Sequence, residues 1–185
     1  MGYLILQFQR LAELVIFSAG NHLVFSVGGI PFFGFTVPYM VGAYTVALMS
    51  TAGFSFVISV CGAIILSGVT GVLFGLLYRR LSTDSFAVFS IAAALAFDAL
   101  LRSWDSVTGG VLGVAGIKRP PFITDSAKLL IFSLIIALIC VVIEYFILQS
   151  PFGRRLTAHK ESLRLLDASG RSAHAVGSKV ILIAA

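Results

Sequence analysis

The chain has 185 residues, of which 58% are hydrophobic and 11% charged, and its formal net charge is +5. Soluble proteins carry charge on roughly a quarter of their residues, so this composition, with a mean hydropathy of +1.03, excludes an ordinary soluble domain. No Asp, Glu, Lys or Arg occurs between Glu13 and Arg79, a run far longer than the ~20 residues that one transmembrane helix needs. The sequence therefore predicts an all-α integral membrane protein in the lipid bilayer.

The first apolar segment runs from about Leu4 to Val27 and is interrupted by polar residues, among them Arg10 and Glu13. Glycines and prolines follow it at high density, in Gly28-Gly29-Ile30-Pro31-Phe32-Phe33-Gly34 and at Pro38. Such a density predicts a broken or re-entrant segment over residues 28–38. This segment is either an ordinary loop of apolar residues or, as in many transporters, a helix break beside a substrate path.

Clearer apolar segments follow at Phe35–Ala52, Gly53–Tyr78, Phe86–Leu101 and Leu129–Leu148. Together with the first segment they predict about five transmembrane helices over residues 1–149. Positive residues concentrate at Arg79 and Arg80 and again after residue 153, on the same side of the membrane because two spans separate the clusters. By the positive-inside rule this side is cytoplasmic.

A polar stretch from Ser150 to Lys179, with eight charged residues, follows the last long apolar segment. Ser150 before Pro151 is a helix-start signal, since serine caps a helix and proline needs no donor at its first position. Leu156, Leu163 and Leu166 then recur at helical spacing and predict a short amphipathic helix at the cytoplasmic surface. Such a helix either lies on lipid or fits a groove in a cytoplasmic partner.

Four stretches have a recognisable residue order. They are Gly42-Ala43-Tyr44-Thr45; Phe86-Ala87, opening the span that ends before Trp104; Thr108-Gly109-Gly110 with Gly113, Gly116 and Ile117; and Ser150-Pro151-Phe152-Gly153-Arg154 with Glu161 and Asp167-Ala168-Ser169-Gly170. In this order they resemble the permease subunits of branched-chain amino acid ABC transporters. The last stretch resembles the cytoplasmic coupling loop of that family, although Leu165-Leu166-Asp167-Ala168 stands where relatives usually have Ala-Ala-Glu-Ala.

The resemblance implies a membrane-spanning subunit of an ATP-driven importer of hydrophobic amino acids in the bacterial inner membrane. Its implied partners are ABC-type ATPase subunits, a second permease subunit and a periplasmic amino-acid-binding protein. The residues implied at the ATPase contact are Arg154, Glu161, Leu166, Asp167, Ala168 and Gly170. The candidates beside the translocation path are Gly29, Pro31, Gly42, Tyr44 and Thr45.

The sequence does not predict an enzyme, because it has no glycine-rich loop ending in Lys-Ser or Lys-Thr. Its histidines are scattered without metal-ligand spacing, so we expect no metal or other cofactor. The positive charge fits loops facing anionic lipid and is no evidence for nucleic acid. A non-ABC channel or secondary carrier, with ions handled by Glu144 or Asp98 inside the spans, is the alternative function.

The predicted domain organisation has three parts: residues 1–149 form the transmembrane region, 150–179 the cytoplasmic coupling loop and 180–185 the start of another span. The last apolar stretch, Val180 to Ala185, is too short to cross a bilayer. The sequence is therefore expected to be truncated within its next transmembrane helix.

Overall fold

The computed structural model describes residues 2–117, 120, 123, 125–161 and 173–185, and these residues form helices and turns only. The helices are α1 (Gly2–Asn21), α2 (Thr36–Thr51), α3 (Phe56–Tyr78), α4 (Thr83–Ser103), α5 (Asp105–Thr108), α6 (Ser126–Gln149), α7 (Pro151–Glu161) and α8 (Ala173–Ala184). A π-helical segment, His22–Val27, continues α1, and 3-10 turns lie at Phe33–Phe35 and Gly110–Leu112. The predicted all-α membrane architecture is confirmed.

Four helical stretches are long and apolar enough to cross a bilayer, namely Phe33–Thr51, Phe56–Tyr78, Thr83–Ser103 and Ser126–Gln149. Each corresponds to one of the clearer apolar segments of the sequence. Large apolar side chains on them remain exposed, such as Ile64 at 65% and Leu138 at 64%, as expected for residues that face lipid. A full span at Leu4–Val27 stays a prediction, because α1 is not among these four stretches.

The break after the first helix is shorter than the glycine and proline content predicts. Helical structure resumes at Phe33 as a 3-10 turn and continues as α2 from Thr36. Pro38 therefore lies in the first turn of α2, where a backbone N–H has no partner within the helix and its absence costs nothing. The break itself contains Gly29, whose φ of +66° is in the left-handed region that favours glycine.

The described chain divides into two compact units, and the first combines Met1–Gly29 with Arg119–Val176. In this unit α1 packs along α6, and α7 contacts both α6 and the π-helical segment. Arg154 and Glu161, two of the candidates in the polar stretch, belong to this unit. Predicted helix residues Leu163 and Leu166 lie outside the described residues.

The second unit combines Ile30–Lys118 with Gly177–Ala185. Its α2 and α3 form a hairpin, and α4 packs against the 3-10 turn at Phe33–Phe35. The core is aromatic: the ring of Phe32 lies 5.6 Å from that of Phe86 and 5.0 Å from that of Phe74. These rings hold the start of α2 against α3 and α4.

The last helix of the second unit approaches α3 at small residues. A Cβ added to Gly75 would lie 2.9 Å from the carbonyl oxygen of Ser178, and one added to Gly71 would lie 3.3 Å from the Cα of Leu182. A Cβ on Gly68, one turn earlier, would meet nothing within 4 Å. Gly71 and Gly75 therefore permit close helix packing, as their spacing predicts, whereas Gly68 does not take part.

Candidate functional site

The corner between α6 and α7 is formed by Ser150. Its Oγ accepts hydrogen bonds from the backbone N–H groups of Phe152, at 3.2 Å, and Gly153, at 3.3 Å. This is the N-cap that the sequence predicts, with Pro151 at the first helical position. Gly153 is buried, and a Cβ there would lie 2.6 Å from the carbonyl oxygen of Ile147. Glycine thus lets α7 turn closely against the end of α6.

One face of α7 is buried against its own unit. Gly153 is buried, the Leu156 side chain is fully buried and His159 is only 4% exposed. These positions are three apart and therefore share a helix face. Arg154, also on α7, is exposed, and so is Glu161. The helix therefore has a packed face and an accessible charged surface.

The buried face of α7 contacts the end of the first helix, a name used here for residues His22–Gly29. The Nδ1 of His159 donates to the carbonyl oxygen of Gly28 at 2.8 Å, and the Nζ of Lys160 donates to that of Ser26 at 2.9 Å. Both glycines of the break make room for α7. A Cβ on Gly28 would lie 3.0 Å from Cδ1 of Leu156, and one on Gly29 would lie 2.9 Å from Cγ of Lys160.

The same end of the first helix is also joined to α6. Nδ1 of His22 contacts Oε1 of Glu144, whose side chain is 13% exposed whereas that of the histidine is 48% exposed. The pair lies at a groove of about 390 Å³ between α1 and α6. The groove is lined by Leu11, Leu14, Val15, Ser18, Ala19, His22, Val141 and Glu144. A carboxylate inside an apolar helix is thereby given a polar partner.

The residues predicted beside a translocation path lie on different elements. Gly29 belongs to the break in the first unit, whereas Pro31 belongs to the second unit, which begins at Ile30. Gly42, Tyr44 and Thr45 all lie on α2, and the buried Thr45 donates from Oγ1 to the carbonyl oxygen of Val41 at 2.6 Å. A Cβ on Gly42 would lie 4.0 Å from Cβ of Ser67 on α3. These contacts do not identify a path, and its lining stays a prediction.

The residues predicted at an ATPase contact are only partly described. Arg154 and Glu161 are exposed on α7. Leu166, Asp167, Ala168 and Gly170 lie outside the described residues.

Sequence reasoning missed the roles of His22, His159 and Lys160. A histidine at three-residue spacing after Gly153 and Leu156 is the only local sign that His159 belongs to the buried face of α7. The pairing of His22 with Glu144, 122 positions away, has no local sign. Such contacts depend on which helices pack together.

Comparisons with known proteins agree with this architecture. The family model described as "Branched-chain amino acid transport system / permease component" matches residues 6–185. The chain is 25% identical over 177 residues to the high-affinity branched-chain amino acid transport system permease protein LivM of Escherichia coli K12. It is 26% identical over 177 residues to the LivM protein of Salmonella typhimurium. Each alignment includes 80% of this chain but 41% of the relative.

The chain thus spans less than half the length of these curated relatives, and no solved structure matches it. The family match nevertheless extends over nearly the whole chain, and four apolar helices are suited to crossing a membrane. The chain is therefore a multi-pass membrane protein that belongs to the family of permease components of branched-chain amino acid transport systems.

Proposed function

We propose that this chain acts as a membrane-spanning permease subunit in an ATP-driven importer of branched-chain amino acids. It acts in a bacterial inner membrane with a second permease subunit and a periplasmic amino-acid-binding protein. Separate ABC-type ATPase subunits hydrolyse the ATP. The observation that carries this proposal is α7, a short polar helix that leaves a membrane span directly and packs one face on its own unit.

The exposed surface of α7 is suited to a protein partner. Arg154 and Glu161 present opposite charges there, whereas the apolar Leu156 is fully buried in the chain itself. A helix that lies on lipid should instead direct its apolar face outward into the bilayer. The apolar side of α7 is already used for packing. The ATPase contact accordingly includes Arg154 and Glu161 and extends to Leu166, Asp167, Ala168 and Gly170.

The alternative of an ion-coupled carrier needs intramembrane carboxylates that are available to ions. Glu144 contacts His22, and Oδ2 of Asp98 accepts from Nε of Arg102 at 2.8 Å. Both carboxylates are therefore engaged by basic side chains. No observation on the described residues favours the carrier over the permease.

Co-purification with ABC-type ATPase subunits tests the proposed contact. Arg154→Glu and Glu161→Lys should abolish co-elution, and so should Asp167→Lys and Gly170→Leu. The matched control is Lys128→Glu, a charge reversal just inside the opposite end of α6. Normal co-elution of all four coupling variants would contradict the proposal. Co-elution that is lost in these variants but kept in Lys128→Glu would support it.

Uptake of leucine into proteoliposomes tests the energy source. The chain is reconstituted with the second permease and the ATPase subunits, and the binding protein is added outside. Uptake should require ATP inside the vesicles and should persist when a protonophore removes the proton gradient. Uptake without ATP that stops with the protonophore would favour the carrier instead.

A further inference from the structure

We propose that His159 and Lys160 are positioning residues that fasten α7 to the end of the first helix, so that a displacement of α7 is passed to α1. The source of that displacement, an ATPase acting on α7, rests on the proposed function. The fastening itself rests only on contacts within the first unit.

The contact completes the hydrogen bonding of a helix terminus. The last carbonyl groups of a helix have no partner within it. At the end of the first helix, the N–H of Gly28 donates to the carbonyl of Leu23 at 3.0 Å, and that of Gly29 to the carbonyl of Phe25 at 3.2 Å. The carbonyls of Ser26 and Gly28 receive the side chains of α7. A lysine is also favoured here, because a helix C-terminus carries partial negative charge.

The close approach of α7 to the end of the first helix favours glycine at positions 28 and 29. Gly29 has a φ of +66°, and a Cβ there would lie 3.2 Å from the Cα of Lys160. The latter distance is to backbone, which cannot move aside without shifting α7. A Cβ on Gly28 would meet Leu156 at 3.0 Å. A side chain at Gly29 therefore pushes α7 away from the carbonyls that it contacts, whereas one at Gly28 also meets the carbonyl oxygen of Val24, at 2.7 Å, within its own helix.

Three connections make the end of the first helix and α7 move together. Ser150 joins α7 to α6 at the corner between them, and the His22–Glu144 pair joins α6 to the start of the π-helical segment. The hydrogen bond from His159 to the Gly28 carbonyl then joins α7 to the end of the first helix. A tilt of α7 must either move this segment or break the buried hydrogen bond of His159. Packed helices and hydrogen bonds of this kind are the physical carriers of coupling between sites.

The first experiment measures hydrogen exchange of the α7 backbone amides in the full chain in lipid nanodiscs. His159→Leu removes the donor, whereas His159→Asn keeps an amide N–H near the position of Nδ1. His159→Leu and Gly29→Ala should each raise exchange about tenfold, as expected for loss of a buried hydrogen bond. His159→Asn should stay close to the wild type. Unchanged exchange in His159→Leu would overturn the fastening.

The control in this experiment is Thr157→Ala. Thr157 is exposed on the same helix, and its Oγ1 donates to the carbonyl oxygen of Gly153 at 3.2 Å within α7. Its loss should leave exchange near the wild-type rate. A rise as large as that of His159→Leu would show general fraying of α7 and would overturn the assignment.

The second experiment measures leucine transported per ATP hydrolysed by the assembled transporter. His159→Leu should lower this ratio about tenfold while ATPase co-elution persists, and His159→Asn should restore it. A folding defect alone would lower transport and hydrolysis together, and an unchanged ratio would overturn the inference. If the wild type transports no leucine, the proposed function fails, and the exchange experiment by itself decides the fastening.

Discussion

His22 and Glu144, 122 positions apart in the chain, contact each other through Nδ1 and Oε1 and join the end of the first helix to α6. The carboxylate belongs to a helix whose other residues are almost entirely apolar. An ionised group at the centre of such a helix costs about 2.5 to 3.5 kcal/mol on insertion scales unless it finds a partner or water. The imidazole supplies that partner, and the pair adds a polar contact to the packing of the first helix along α6.

A double-mutant cycle on this pair should give a coupling energy of about 1 kcal/mol, between the average of about 0.6 and the maximum of about 1.7 kcal/mol found by such cycles for polar pairs between membrane helices. His22→Phe should destabilise the protein because it leaves the Glu144 carboxylate without this partner. Adding Glu144→Leu should recover most of the loss, since the carboxylate is then gone. The free energy of unfolding is measured by titrating SDS into mixed micelles.

The same cycle on Asp98 and Arg102 serves as the control. These residues are one helical turn apart on α4, and their side chains are 46% and 62% exposed. An exposed pair of this spacing contributes about 0.3 to 0.5 kcal/mol. A coupling energy near zero for His22 and Glu144, or one no larger than in this control, would contradict the prediction.

The sequence predicts features of this fold that depend on local chemistry. Long apolar runs place α2, α3, α4 and α6 to within a few residues, and Ser150 before Pro151 correctly predicts the start of α7. The predicted break extends to Pro38, whereas this proline lies in the first turn of α2, because in the sequence a proline that begins a helix resembles one that ends it. The start of α7 and the start of α2 both depend on residues that are adjacent in the chain, which is why the sequence carries a signal for each.

The contacts of the candidate site depend instead on tertiary packing. The sequence shows His159 only as one of three scattered histidines without metal-ligand spacing, since leucines alone define the expected apolar stripe. Its partner, the Gly28 carbonyl, lies 131 positions away and is a backbone group that no residue type reveals. The sequence predicts the glycine-rich break and the polar helix separately, whereas the contact between them depends on how the two elements pack.

Alanine substitutions at Gly75 and Gly68 should shift stability in opposite directions. Alanine removes the helix penalty of glycine, about 0.5 to 1 kcal/mol, and Gly68→Ala should therefore stabilise α3. At Gly75 the added methyl group would meet the backbone carbonyl of Ser178, so overpacking should cost about 1 to 3 kcal/mol. Unfolding in SDS measures both variants, and equal effects would contradict the close approach of α8.

Ser90→Ala should destabilise the start of α2 by about 1 to 3 kcal/mol. Ser90 is fully buried, and its Oγ accepts from the backbone N–H of Phe33 at 3.1 Å. Alanine would leave that N–H without its acceptor. Ser133→Ala is the control, because Ser133 donates to Leu130 within α6 and its loss should change stability by less than about 0.5 kcal/mol. The prediction fails if the two variants unfold alike.

Ser150→Ala should loosen the first turn of α7 while leaving α6 intact. The cap accepts from two N–H groups, and its loss typically costs about 1 kcal/mol. Exchange of the Phe152 and Gly153 amides should rise about fivefold by the usual relation between free energy and equilibrium. Ser150→Thr keeps the hydroxyl and should behave as the wild type. Ser82→Ala removes the equivalent cap of α4, where Ser82 Oγ accepts from the Ser85 N–H at 3.3 Å. Ser82→Ala should raise exchange at the Ser85 amide and leave that of α7 unchanged. If Ser150→Ala exchanges like the wild type, the corner between α6 and α7 does not depend on its cap.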